Sequence, residues 1–66
     1  MKVGFVGLGN MGYNMVKNLL KNGFEVYTYD VFQEAVDRTT QIGAKGTASL
    51  KELGEQADVV QVMVMN

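Results

Sequence analysis

The 66-residue sequence contains no cysteine and no histidine. Disulfides are therefore excluded, and the two best soft-metal ligands are missing. Basic clusters are absent as well. Lys2, Lys17, Lys21, Arg38, Lys45 and Lys51 are scattered, and the formal net charge is −1. Affinity for a nucleic-acid backbone rests on grouped Lys and Arg, so nucleic acid is not an expected partner. No apolar run approaches the ~20 residues that span a bilayer, so no membrane association is expected. The opening MKVGFVG is too short in its apolar part and too glycine-rich to act as a secretory signal. These absences leave a soluble protein, with the cytoplasm as the expected compartment.

What is present suits a packed domain: 47% of the residues are hydrophobic and 20% charged. A chain of this length makes one small domain at most. It buries only about 60% of the surface it exposes when unfolded, which leaves its stability marginal.

The apolar pattern alternates between two periods. KVGFV (2–6) is a short apolar run that opens onto glycine, as a buried strand does. Apolar residues at 11, 15, 16, 19 and 20 then share one helical face, and Gly23 is placed to end that helix in a left-handed cap. EVYTY (25–29) is β-branched and aromatic and predicts a second strand, closed by Asp30. A second helix is predicted from about Phe32 to Gln41 with Gly43 as its stop, then a short strand near Lys45. SLKE (49–52) has the form of a capping box and starts a third helix with Leu50, Leu53 and Ala57 on one face. Gly54 weakens that helix by up to ~1 kcal/mol relative to alanine. DVVQVMVM (58–65) is the last expected strand. Strands and helices alternating at this spacing predict an α/β fold, a Rossmann-type parallel sheet with helices on both faces. The apolar first and last strands are expected to be covered on both faces, and Gln61 in the last one then needs a hydrogen-bond partner.

Three glycines, at 7, 9 and 12, stand between the first strand and the first helix. In that context Gly-x-Gly-x-x-Gly marks a dinucleotide site rather than a flexible turn. Gly7 permits the tight turn, Gly9 lets a pyrophosphate approach the backbone, and Gly12 lets the helix lie against the sheet. Amides of the first helical turn, with Asn10 and Met11 contributing, face the anion. The plainer alternative is a glycine turn used only for packing. Asp30 follows Gly12 by 18 residues, close to the ~20 expected of the acidic residue that accepts hydrogen bonds from the adenosine ribose. Its carboxylate repels a 2′-phosphate, and Val31, Phe32 and Gln33 offer no cation to hold one. NAD is therefore the expected cofactor and NADP the less favoured one. Asp30 as a cap for the second helix is the simpler alternative, and both roles are compatible.

GFVGLGNMGYNMVKNL (4–19) resembles the N-terminal signature of the β-hydroxyacid dehydrogenases, G-L-G-x-M-G-x-x-M-A-x-N-L. Gly7, Leu8, Gly9, Met11, Gly12, Met15, Asn18 and Leu19 match it, and Val16 replaces the usual alanine. YDVFQEA (29–35), Gly43-Ala44, SLKEL (49–53) and ADVV (57–60) are similar to 3-hydroxyisobutyrate dehydrogenases at the corresponding places. The resemblance implies hydride transfer from a 3-hydroxy acid to NAD or NADP. It implies a cofactor site of Gly7, Leu8, Gly9, Asn10, Met11, Gly12, Asp30 and Val31, joined near the nicotinamide by Val64, Met65 and Asn66. The family's Met-Leu-Pro loop is replaced here by Met63, Val64 and Met65, without the proline. That departure leaves a threonate-like dehydrogenase or a glyoxylate/semialdehyde reductase as alternatives. The family's catalytic lysine, its Ser-Gly-Gly segment and its asparagine have no counterpart in the chain. Residues 1–66 are accordingly expected to be the first part of a dinucleotide-binding domain, inactive alone, with the small hydroxy-acid substrate held by a C-terminal domain outside them. The longer protein is expected to be a homo-oligomer, and a eukaryotic relative can lie in the mitochondrial matrix. A non-catalytic nucleotide sensor and a flavin- or adenosylmethionine-binding Rossmann domain remain open, because fold alone does not decide function.

Overall fold

A computed structural model of the chain describes residues 1–63. The elements run β1 (Lys2–Val6), α1 (Asn10–Lys21), β2 (Glu25–Tyr29), α2 (Gln33–Gln41), β3 (Lys45–Gly46), α3 (Leu50–Gln56) and β4 (Val59–Val62). All strand pairs are parallel, in the order β3-β2-β1-β4. The chain steps outward from β1 to β3, then α3 carries it back to the other side of β1. The reversal puts a crevice at the carboxyl ends of the strands, where open α/β sheets bind ligands. This is the expected Rossmann-type sheet in its first four strands.

Alternate residues of β1 serve opposite faces. Phe5, fully buried, meets α1 beside Gly12, whereas Gly4 lies under Leu53 of α3 and Ala57 just after it. The principal core is Phe5, Leu8, Val16, Val26, Val36 and Ala44. Each valine, leucine or phenylalanine of this core contributes roughly 1.5–3 kcal/mol on burial. A polar seam ties α2 to the sheet. The Thr39 hydroxyl donates to the Val36 carbonyl at 2.7 Å, so the Thr28 hydroxyl 2.8 Å away donates to Thr39. The Thr47 hydroxyl in turn donates to the Thr28 carbonyl at 2.9 Å. Buried hydroxyls paired in this way avoid the cost of desolvation.

Both longer helices stop as expected. Gly23 and Gly43 have φ of 89° and 112°, and the Phe24 and Ala44 amides reach back to the Leu19 and Thr39 carbonyls. This is the Schellman arrangement.

Three expectations need correction. Met11 and Met15, placed on the core face of α1 with Val16, Leu19 and Leu20, are exposed, whereas those three keep the contact and Gly12 joins them. Leu50 is 57% exposed rather than part of the α3 core face, which rests on Leu53. Finally, β4 is uncovered. Val59, Val60 and Val62 are 50%, 43% and 54% exposed, because among the described residues β4 pairs with β1 alone while α3 packs on β1 and β2. Gln61 is exposed there too and needs no buried partner.

Candidate dinucleotide-binding site

The site begins where β1 runs into α1. Gly7 takes a φ of 89°, and its amide donates to the Tyr29 carbonyl at 3.1 Å. A Cβ here would lie 2.5 Å from the Met63 carbonyl oxygen, so backbone strain and crowding both require glycine. A Cβ on Gly12 would collide with the Gly7 carbonyl oxygen and press on the Phe5 ring at 3.3 Å. The third glycine thus sets how closely α1 lies against the turn.

Gly9 is the N-cap of α1, and among the described residues no side chain caps the helix. The first helical bond runs from the Tyr13 amide to the Gly9 carbonyl at 2.8 Å. The amides of Asn10, Met11 and Gly12 precede it, and the first turn holds no acidic residue. Such an end carries roughly half a positive charge on donors that point outward. Gly9 and Asn10 are exposed, and so is Met11, against its placing on the core face of α1. Leu8 is different: its side chain is 1% exposed and belongs to the core, so only its backbone faces the site.

Asp30 stands at the tip of β2, half-buried. One carboxylate oxygen accepts from the Leu8 amide at 2.7 Å and the other from the Phe32 amide at 2.9 Å. Phe32 is the N-cap of α2, so the carboxylate shapes the approach to that helix without reaching into its first turn. A carboxylate has about four acceptor positions, and two remain here. Beside it, a cavity of about 190 Å³ is lined by Val6, Gly7, Tyr29, Asp30, Val31 and Leu50. Val31 is 80% exposed.

Val6, Tyr29 and Leu50 are the cavity-lining residues that the sequence did not single out. Ser49 caps α3 by accepting from the Glu52 amide at 3.1 Å, and this fixes where the helix starts. Only the strand order then carries Leu50 to the tip of β2. Lys17, Lys21 and Lys51 are exposed and line no part of the cavity. Val64, Met65 and Asn66 lie outside the described residues. Among the described residues, no helix is long and apolar enough to cross a membrane, and no acidic, histidine or cysteine cluster could hold a metal.

The family model describing the NAD-binding domain of 6-phosphogluconate dehydrogenase matches residues 2–66. The chain belongs to this NAD-binding family. Mitochondrial 3-hydroxyisobutyrate dehydrogenase of Mus musculus is 42% identical over 62 residues, covering 94% of the chain and 18% of the mouse enzyme. The solved Mycobacterium tuberculosis 3-hydroxyisobutyrate dehydrogenase with L-serine superposes with a TM-score of 0.91 at 35% identity. That match covers 96% of the chain and 22% of the enzyme. The structure of Psf3 in complex with NADP+ superposes equally well, TM-score 0.91, at 30% identity over 97% of the chain and 22% of its own. The chain thus spans about a fifth of the length of these relatives. Its homologues include dehydrogenases, and the fold accommodates NAD(P).

Proposed function

We propose that the chain is the cofactor-binding portion of an NAD-dependent oxidoreductase that oxidises a 3-hydroxy acid of the 3-hydroxyisobutyrate kind. The carrying observation is the pairing of an uncapped α1 N-terminus with an acidic β2 tip directly beside it. In this reading the Asn10 and Met11 amides hold the pyrophosphate, and Gly9 leaves it room. The free acceptor positions of Asp30 take the adenosine ribose hydroxyls. Val31 and Leu50 form apolar walls for the adenine. The resemblance adds Val64, Met65 and Asn66 near the nicotinamide. Bound NAD supplies a ring carbon that accepts hydride from the substrate. The hydroxy acid and the acid–base group are assigned to polypeptide beyond these residues, which the greater length of the relatives supports.

Asp30 disfavours a 2′-phosphate by charge, and no basic residue follows it in Val31–Gln33. Titration of the chain with NADH and NADPH, followed by nicotinamide fluorescence, is expected to give at least ~10-fold tighter binding of NADH, about 1.4 kcal/mol. Asp30→Ala is expected to erase most of that preference. Equal or tighter NADPH binding by the wild-type chain overturns the NAD assignment. The chain alone is expected to oxidise no hydroxy acid, and measurable NADH formation from 3-hydroxyisobutyrate would refute the division of labour.

A further inference from the structure

The glycine turn is held from outside itself. Its amides at Gly7 and Leu8 both donate to the tip of β2, one to the Tyr29 carbonyl and one to the Asp30 carboxylate. The Leu8 bond, at 2.7 Å, is short in the manner of charge-assisted bonds and bridges 22 positions of sequence. On its other side the turn is anchored by the Leu8 side chain, sealed in the core. The carboxylate meets an amide one residue before the N-cap. It therefore leaves the amides of Asn10, Met11 and Gly12 open to an anion.

We propose that Asp30 is a positioning residue for the glycine turn. Its carboxylate fixes the Leu8 amide and so holds the Gly7–Gly9 backbone in its receiving shape before any dinucleotide arrives. This inference rests on the assignment of a dinucleotide site, and it adds a role that contact with ribose alone does not require. Pre-organised binding loops gain affinity because less ordering remains to be done on association. It follows that charge removal at position 30 does not simply exchange NAD for NADP. It loosens the turn that both cofactors use, so Asp30→Ala binds both more weakly than a pure loss of ribose contact predicts.

The test is amide hydrogen exchange by NMR on the full chain without cofactor. The Leu8 amide is compared with that of Val16, which reports the core. In Asp30→Ala, Leu8 exchange is expected to accelerate at least ~10-fold while Val16 is unchanged; tenfold corresponds to about 1.4 kcal/mol. Asp30→Asn guards against a variant that fails to fold. Its single carbonyl oxygen can serve the local turn to Phe32, which asparagine forms readily, but not both amides. Leu8 is then expected to lose protection while Phe32 keeps it. Unchanged Leu8 protection in a folded variant overturns the positioning role, even where NADH affinity is lost through the ribose. Loss of Leu8 protection with unchanged NADH affinity would leave the bond to Leu8 standing but overturn both its role in preparing the turn for the cofactor and the ribose assignment.

Discussion

Two strand-to-helix turns in this molecule have the same length and opposite chemistry. Residues 7–9 lead from β1 to α1, and residues 47–49 lead from β3 to α3. The second turn closes on itself. Ser49 accepts from the Glu52 amide, and the Glu52 carboxylate accepts from the Ala48 amide, both at 3.1 Å. This reciprocal capping satisfies donors that a helix cannot satisfy internally. The first turn offers glycine at the N-cap and no acid in the following turn. Its helix is the longest of the three, yet among the described residues no side chain caps it; α2 lacks such a cap too, but it carries Glu34 in its first turn where α1 has no acid. A short helix at marginal stability needs its cap. A long helix buried on Val16, Leu19 and Leu20 can leave its N-terminal amides for a ligand.

The largest blow to this contrast is Gly12→Ala. The new methyl meets a backbone carbonyl that cannot swing away, so α1 must lift from the turn. Overpacking of this kind costs about 1–3 kcal/mol, a large share of the stability of so small a domain. Thermal unfolding should move down by about 4–8 °C per kcal/mol, and NADH binding should disappear. Next comes Gly9→Ser, which gives α1 the kind of cap that α3 already has. The backbone at position 9, φ −55° and ψ −172°, is not left-handed and so does not demand glycine by its φ. Stability should rise by a few tenths of a kcal/mol, while NADH affinity falls about tenfold because the hydroxyl claims an amide meant for the pyrophosphate. A rise in both would refute the open-cap assignment. Ser49→Ala makes the converse change. It should lower stability by about 1 kcal/mol in urea unfolding and leave the NADH dissociation constant unchanged.

The smallest effect lies at the β3 edge of the sheet. The Tyr27 hydroxyl donates to Glu25 at 2.7 Å, and Lys45 lies 3.5 Å from the same carboxylate. The Tyr27 bond foremost, then the Lys45 charge, holds the Glu25 carboxyl below its ordinary value. A carboxyl depressed in the folded state stabilises above its unfolded pKa, and the gain is lost as pH falls through the folded one. Glu25→Gln should therefore be slightly less stable than wild type at neutral pH. The two should converge in acid below the usual carboxylate range, as urea unfolding at each pH would register. Exposed pairs of this kind contribute little, so a large difference at neutral pH would be a surprise.

Much of the candidate site was legible because its determinants are local. Gly7 and Gly12 are set by a tight turn and a close helix, and their spacing records both. The start of α3 was legible from Ser49 and Glu52 for the same reason. Met11, Leu50 and the valines of β4 were misjudged together. Periodicity tells which residues share a face, but not whether another element covers it. The bond from Asp30 to Leu8 was hidden for a different reason, since both groups are ordinary in sequence and meet only when two strands pair.

The sequence by itself determined the alternation of strands and helices, the glycine turn, the helix stops and the acidic end of β2. Each depends on backbone sterics or on hydrogen bonds within a few residues. Only the tertiary structure decided that the β2 tip holds the glycine turn, that Leu50 borders the same cavity, and that β4 pairs with β1 at the far side of the sheet from β3. These depend on strand order and register, which bring together groups about 20 to 40 positions apart. Burial is a property of the packed elements jointly and of none of them alone.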